Sequence, residues 1–307
     1  MTIQSRVRRL RSGLPWWAKL FAKLALARLP LPYRWWKRLG LFEHGHMEEP
    51  SYALQVVRDH VCAAFGDDRI PGIGNGDPAA AGRPVTVLEL GPGDSIFGGM
   101  AARALGAERV ILVDNGPYAR IDGDSWRSMA AHLAAEGLPA PAIDPDGRPT
   151  DLLEACRIQY LTDGLRSLRS LPTASVALIY SQAALEHVRR AEFEALIREL
   201  RRIIAPEGRC SHVVDLKDHL AEGLHHLRFR AGVWESRLMA RSGFYTNRLR
   251  HAEMLRIFSE CGFAVQSMEL RRWPALPIRQ RALHVSFRQF DGDELRISGF
   301  RVVLVPA

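Results

Sequence analysis

The chain of 307 residues predicts an α/β fold, a doubly wound, mostly parallel seven-stranded sheet preceded by a basic helical extension. Three observations carry that expectation. From residue 85 onward, short apolar runs alternate with amphipathic segments, as strands connected through helices do. Hydrophobic residues make up 47% of the chain, enough to cover a sheet on both faces. Residues 1–42 hold ten Lys/Arg and no Asp/Glu, whereas the remainder carries 32 basic and 34 acidic side chains. The net charge of +8 therefore belongs to the extension.

Within that extension, LPWWAKLFAKLALARL (residues 14–29) sets Trp16, Trp17, Leu20, Phe21 and Leu24 at helical spacing, with Lys19 and Lys23 on another face. No uncharged apolar run here approaches the roughly 20 residues that span a bilayer. The lysines also interrupt what would be a signal-peptide core. Tryptophans, cations and a lack of acids suit a helix lying on an anionic membrane surface through residues 14–38. The same pattern suits a helix packed on its own domain, or a targeting leader. RIPGIGNGDPAAAGRP (residues 69–84) is rich in Gly and Pro. It suggests an extension over 1–65, a linker over 66–84 and one catalytic domain over 85–307.

In that domain, residues 85–90, 109–113, 157–161, 175–180 and 209–215 read as strands, and 98–106 and 189–204 as helices. Residues 263–270 and 297–305 read as a closing pair of strands, and 139–149 as a loop. Cys62, Cys156, Cys210 and Cys261 lie far apart without a CxxC pair, which disfavours structural zinc and disulfides. A reducing, cytoplasmic setting is expected, peripheral to a membrane if the extension docks there.

The first strand runs into VLELGPGDS (residues 87–95). In an open α/β sheet, ligands bind at the carboxyl ends of the strands, and glycines let the backbone approach them. The dinucleotide pattern G-x-G-x-x-G fails, because Ile96 stands three residues after Gly93. Asp114 ends the second strand, 21 residues beyond Gly93, where a carboxylate can accept both hydroxyls of a ribose. A nucleoside without a diphosphate fits best.

Here the sequence resembles the class I S-adenosylmethionine-dependent methyltransferases, the small-molecule group in particular. VLELGPGDS resembles their first motif, and VILVDN (110–115) the second-strand acid. SVALIYSQAALEHV (175–188) resembles the fourth strand, and LRRIIAPEGRCSHVVDL (200–216) the helix, turn and fifth strand. The resemblance runs in order over residues 85–305, with Ser95 where the third loop glycine is usual. It implies a Rossmann-like sheet and S-adenosyl-L-methionine as cofactor. Glu89, Gly91 and Gly93 would surround its amino-acid end, Asp114 its ribose and Asp163 its adenine, with Ser181 and Gln182 beside the sulfonium.

Methyl transfer to a hydroxyl needs alignment and a base. His187, after the fourth strand, is the first candidate. Asp215, Asp218 and His219 form a second constellation at the end of the fifth strand, and helix capping is the plain alternative for the two aspartates. The E-x-x-E-H pattern by which some methyltransferases hold a divalent cation is incomplete here. Ala183 takes the first position, leaving Glu186, His187 and His212, so no metal is expected. The insert 217–247, with His225, His226, Trp234, Phe244, Tyr245 and Arg228, Arg230, Arg237 and Arg241, would cover the acceptor. Arg248 and Arg250 would face an anionic substrate or cap the sheet edge. A sugar, glycan or lipid-linked acceptor methylated on oxygen is expected. An RNA methyltransferase and a non-catalytic cofactor-binding module remain as alternatives. The chain has no recognisable RNA-binding module, and YSQA (180–183) replaces the Asp/Asn-Pro-Pro-aromatic signature of many base methyltransferases.

Overall fold

The computed structural model describes residues 15–26, 46–71, 84–140 and 146–307. The reading of the extension at 27–38 and most of the Gly/Pro-rich stretch lie outside the described residues. Seven strands form one sheet: β1 Thr86–Leu90, β2 Arg109–Val113, β3 Ile158–Leu161, β4 Val176–Gln182, β5 Ile204–Asp215, β6 Phe263–Arg272 and β7 Ile297–Pro306. Their order is β3-β2-β1-β4-β5-β7-β6. Strands β1 to β5 pair in parallel, whereas β7 runs antiparallel to both β5 and β6. The order reverses at β1, so the loops after β1 and β4 open on one crevice, where such sheets bind ligands. The last two strands are the expected closing pair, and the chain's end inserts between β5 and β6.

Strand alternation sorts the core into two layers. Val87, Val110 and Leu112 pack on one side of the sheet, and Leu88, Ile111 and Val113 on the other. The second layer is closed by α7 Arg190–Ile203 and α10 His251–Glu260, through Phe193, Leu200, Met254 and Phe258. The first layer is closed by α2 Pro50–Phe65, α3 Phe97–Ala104 and α4 Gly123–Ala135. Asp122 caps α4 by accepting a hydrogen bond from the Ser125 amide at 2.8 Å.

Helix α2 corrects the domain boundary read from the sequence. Ala53, Leu54, Val57, Val61 and Ala64 pack in one cluster with Val87, Met100 and Val110. Residues 50–65 therefore belong to the same hydrophobic core as the sheet. A break in composition does not by itself set a domain boundary, which packing decides.

The earlier helix, α1 Trp16–Leu26, lies on the insert. Leu20, 5% exposed, joins Leu220, Trp234, Met239, Phe244 and Tyr245 in a separate cluster, with Trp16 and Leu24 packed against it. Packing on its own domain is thus observed for this stripe. Among the described residues, no helix is long and apolar enough to cross a membrane. The insert itself folds into short helices, α8 Ala231–Trp234 and α9 Arg237–Ala240, around the buried Trp234. The remaining helices, α5 Pro149–Ala155, α6 Leu165–Arg169, α11 Val285–Arg288 and α12 Gly292–Arg296, are short connectors.

Candidate active site

The loop after β1 is shaped by two glycines in the left-handed region, Gly91 at φ 75° and Gly93 at φ 64°. They do different work. A Cβ on Gly91 would stand 2.6 Å from the Ala184 Cβ, so this glycine lets the loop touch the turn after β4. A Cβ on Gly93 would meet nothing within 4 Å, so its backbone faces open space. The Gly93 amide donates to Asp114 Oδ2 at 3.1 Å, and Oδ1 accepts the Asn115 amide at 2.7 Å. Gly164 N donates to the Asp114 carbonyl at 2.8 Å, which brings the end of β3 to the same place. Asp163 is exposed beside it, and its amide donates to Ser167 Oγ at 3.1 Å. The ends of β1, β2 and β3 thus converge on Asp114.

What surrounds this junction is not legible in the sequence. The Tyr160 hydroxyl accepts the amides of Tyr118 and Ala119 at 3.0 and 3.2 Å and donates to the Gly116 carbonyl at 3.0 Å, pinning the loop after Asp114. Next to it opens a cavity of about 270 Å³, lined by Asp94 and Ser95 of the glycine loop, by Arg120, Asp124 and Ser125, and by Glu48 from before α2. Only contacts far apart in the chain build this cavity, and no local pattern announces it.

Of the other residues expected around a cofactor, Glu89 and Ser181 are buried and Gln182 is half-buried. Glu89 is 2% exposed, accepts the Tyr180 hydroxyl at 2.8 Å and sits against Gly98, whose Cβ would stand 2.3 Å from Oε2. Burial pushes its carboxyl up to about 7. Ser181 is fully buried, with its hydroxyl 2.8 Å from His212 Nδ1. The His212 ring faces Phe258 at 6.5 Å, and burial lowers it to about 3. His212 is thus held inside the core by Ser181 and Phe258. Among the described residues, no group of three or more His, Cys, Asp or Glu side chains is placed to hold a metal ion. Gln182 accepts from His60 Nε2 at 3.2 Å, and His60 Nδ1 accepts the Ser211 hydroxyl at 2.8 Å. Burial, with Arg301 second, lowers His60 to about 3 and keeps it neutral. Helix α2 thus reaches the sheet through a buried histidine, His60.

The 3₁₀ turn Leu185–His187 follows β4. The His187 Nδ1 donates to the Tyr245 carbonyl at 2.8 Å, which places the proton there and makes Nε2 the basic nitrogen. The His187 ring stacks on His219, 5.0 Å between centroids at 19°. Two residues from different constellations of the sequence are brought together. Asp215 is half-buried, raised by burial, and accepts the Lys217 amide at 2.9 Å with the ammonium 3.5 Å away.

Asp218 is corrected from an acceptor-facing candidate to the knot of the insert. It is 1% exposed and accepts the amides of Leu220, Ala221 and His225 at 2.9, 2.6 and 2.7 Å. Burial pushes its carboxyl up, but the His226 side chain and these amides outweigh burial and hold it well below the usual range. Neighbouring Glu186 is 1% exposed, accepts the Asp215 amide at 3.2 Å and is pushed up to about 8 by burial. Arg250 is likewise structural, 1% exposed and donating to the carbonyls of Leu216 and Ile297 at 3.3 and 2.7 Å. Arg248, 4% exposed, lies over Trp234 and Phe287, 5.5 and 5.2 Å from their ring centres.

No family model and no curated protein matches this chain. Solved structures do. The chain is similar to a geranyl diphosphate C-methyltransferase from Streptomyces coelicolor, at 14% identity and TM-score 0.42, over 84% of this chain and 79% of that one. It is similar to a mitomycin 7-O-methyltransferase at 12% identity and TM-score 0.46, over 98% of this chain and 71% of that one. A 1,6-didemethyltoxoflavin-N1-methyltransferase from Burkholderia thailandensis matches at 12% identity and TM-score 0.43, over 83% and 78%. The likeness is remote, so cofactor and reaction have to follow from the chain's own residues. The strand order β3-β2-β1-β4-β5-β7-β6 with a reversed β7 decides the architecture. The fold is Rossmann-like.

Proposed function

We propose that this chain transfers a methyl group from S-adenosyl-L-methionine to a hydroxyl oxygen of a sugar, glycan or lipid-linked small molecule, presented at an anionic membrane surface. The observation that carries the cofactor half is the convergence of Gly93, Asp114 and Gly164 at the ends of β1, β2 and β3. The open space above Gly93 and the acid at the end of β2 fit a nucleoside, and the failed G-x-G-x-x-G spacing disfavours a pyrophosphate. Bound there, the cofactor would supply an electrophilic methyl group on a sulfonium.

Asp114 would accept the ribose hydroxyls, Asp163 would stand at the adenine end, and the cavity lined by Asp94, Glu48 and Arg120 would receive the charged amino-acid end. Glu89, Ser181 and Gln182 support that bed from below, through Tyr180, His212 and His60. At the acceptor edge, His187 Nε2 would take the hydroxyl proton while the Tyr245 carbonyl holds the opposite nitrogen and His219 fixes the ring plane. Asp215 would orient acceptor hydroxyls from β5.

Transfer of a labelled methyl group from S-adenosylmethionine into extract fractions tests the whole reading. Label in lipid or glycan supports it, label in RNA replaces the acceptor, and a chain that binds no cofactor refutes it. Asp114→Ala is expected to weaken cofactor binding by about 1–3 kcal/mol, the cost of lost charged hydrogen bonds, with unchanged affinity in a calorimetric titration removing Asp114 from the site. His187→Ala is expected to slow methyl transfer by about 10²-fold or more while leaving cofactor affinity intact. Normal turnover in that variant would make His187 structural.

A further inference from the structure

We infer that α1 and the insert form one docking unit for an anionic bilayer, with Trp17 and Phe21 as the inserting side chains. The inference deepens the acceptor half of the proposed function and rests on it only for the route by which acceptor arrives. Trp16, Leu20 and Leu24 make the inner stripe of α1, with Trp16 stacked on His225 at 4.7 Å and the Arg228 guanidinium 5.2 Å from the Trp16 ring centre. At 100° per residue, Trp17 and Phe21 fall one turn apart on the flank of that stripe. They are 52% and 65% exposed, two aromatic rings on one flank of α1 whose apolar surface faces outward. Leu238, 39% exposed, stands between the exposed Arg237 and the buried Met239 in α9, which shares the cluster holding Leu20.

Charge names the occupant. The chain that carries α1 holds ten Lys/Arg and no Asp/Glu over residues 1–42, and the insert adds exposed Arg230, Arg237 and Arg241. Aromatic rings at headgroup depth beside cations suit a surface of anionic phospholipid, whereas a neutral protein groove needs no such excess. The insert also sets His219 against His187, so a docked α1 holds the acceptor edge close to the lipid from which a lipid-linked hydroxyl would come.

The test is co-sedimentation of the full chain with vesicles of phosphatidylcholine alone and of phosphatidylcholine with phosphatidylglycerol, beside a Trp17→Ser/Phe21→Ser double variant. Binding to the anionic vesicles only, weakened about ten-fold or more in the double variant, is expected. Both residues are exposed, so an unchanged melting curve should show that the variant is folded. No binding to anionic vesicles, or equal binding by the variant, overturns the inference. So does tighter binding to single-stranded RNA that displaces the vesicles, which would assign this surface to nucleic acid. Vesicle binding by a chain that fails to bind S-adenosylmethionine would refute the methyl-transfer reading and leave the docking unit standing.

Discussion

Asp218→Ala is expected to destabilise the insert by about 3–5 kcal/mol, the range for removing a buried, hydrogen-bonded charge. The substitution strips the acceptor from three amides, Leu220, Ala221 and His225, and from the His226 side chain, in a place where water cannot replace it. Asp218→Asn keeps one carbonyl oxygen and should lose less. The sign with pH follows from the depressed carboxyl. Its contribution is present above the unfolded value of 3.8 and is lost as pH falls through the lower folded value. Hydrogen exchange at the amides of Leu220, Ala221 and His225, compared between wild type and both variants, reads the effect residue by residue. Unchanged protection in Asp218→Ala would show that the insert is held elsewhere, by the packing of Trp234 with Phe244 and Tyr245.

Glu89→Gln is expected to remove about 3 kcal/mol of pH-dependent destabilisation, the shift from 4.5 to about 7 converted at 1.36 kcal/mol per unit. In the wild type the folded state holds the proton that the unfolded state releases. Stability is therefore full below 4.5 and declines as pH rises through about 7. Glutamine keeps an oxygen for the Tyr180 hydroxyl and the same shape against Gly98, but has nothing to titrate. Urea unfolding at about pH 5 and about pH 8 should show wild type losing stability relative to the variant on going up. Parallel behaviour of the two would mean that Glu89 is ionised in its buried position and is paired by a charge.

The turn at the mouth of β1 was legible for a local reason. One strand, two glycines and one acid on the next strand fall within a short window, so the meeting of the β1 loop with Asp114 could be read directly. The depth of a side chain could not. The resemblance sets Glu89 and Ser181 at the site, and Asp218 follows the fifth strand, yet each is buried and partnered. Polarity marks a group that needs a partner, and here the partner is Tyr180, His212 or a run of amides.

The amino-acid sequence by itself determined the seven strands, their α/β alternation and the loop at the mouth of β1, because periodicity and glycine chemistry act within a few residues. Tertiary structure alone decided what spans the chain. It placed His60 against Ser211, 151 residues away, and so made α2 part of the core rather than of an extension. It also stacked His187 on His219 and laid Trp16 on His225, leaving Trp17 and Phe21 outside. The physical reason is that burial and hydrogen-bond partnership belong to the packed molecule, where a side chain's neighbours are set by how sheet and helices close on one another.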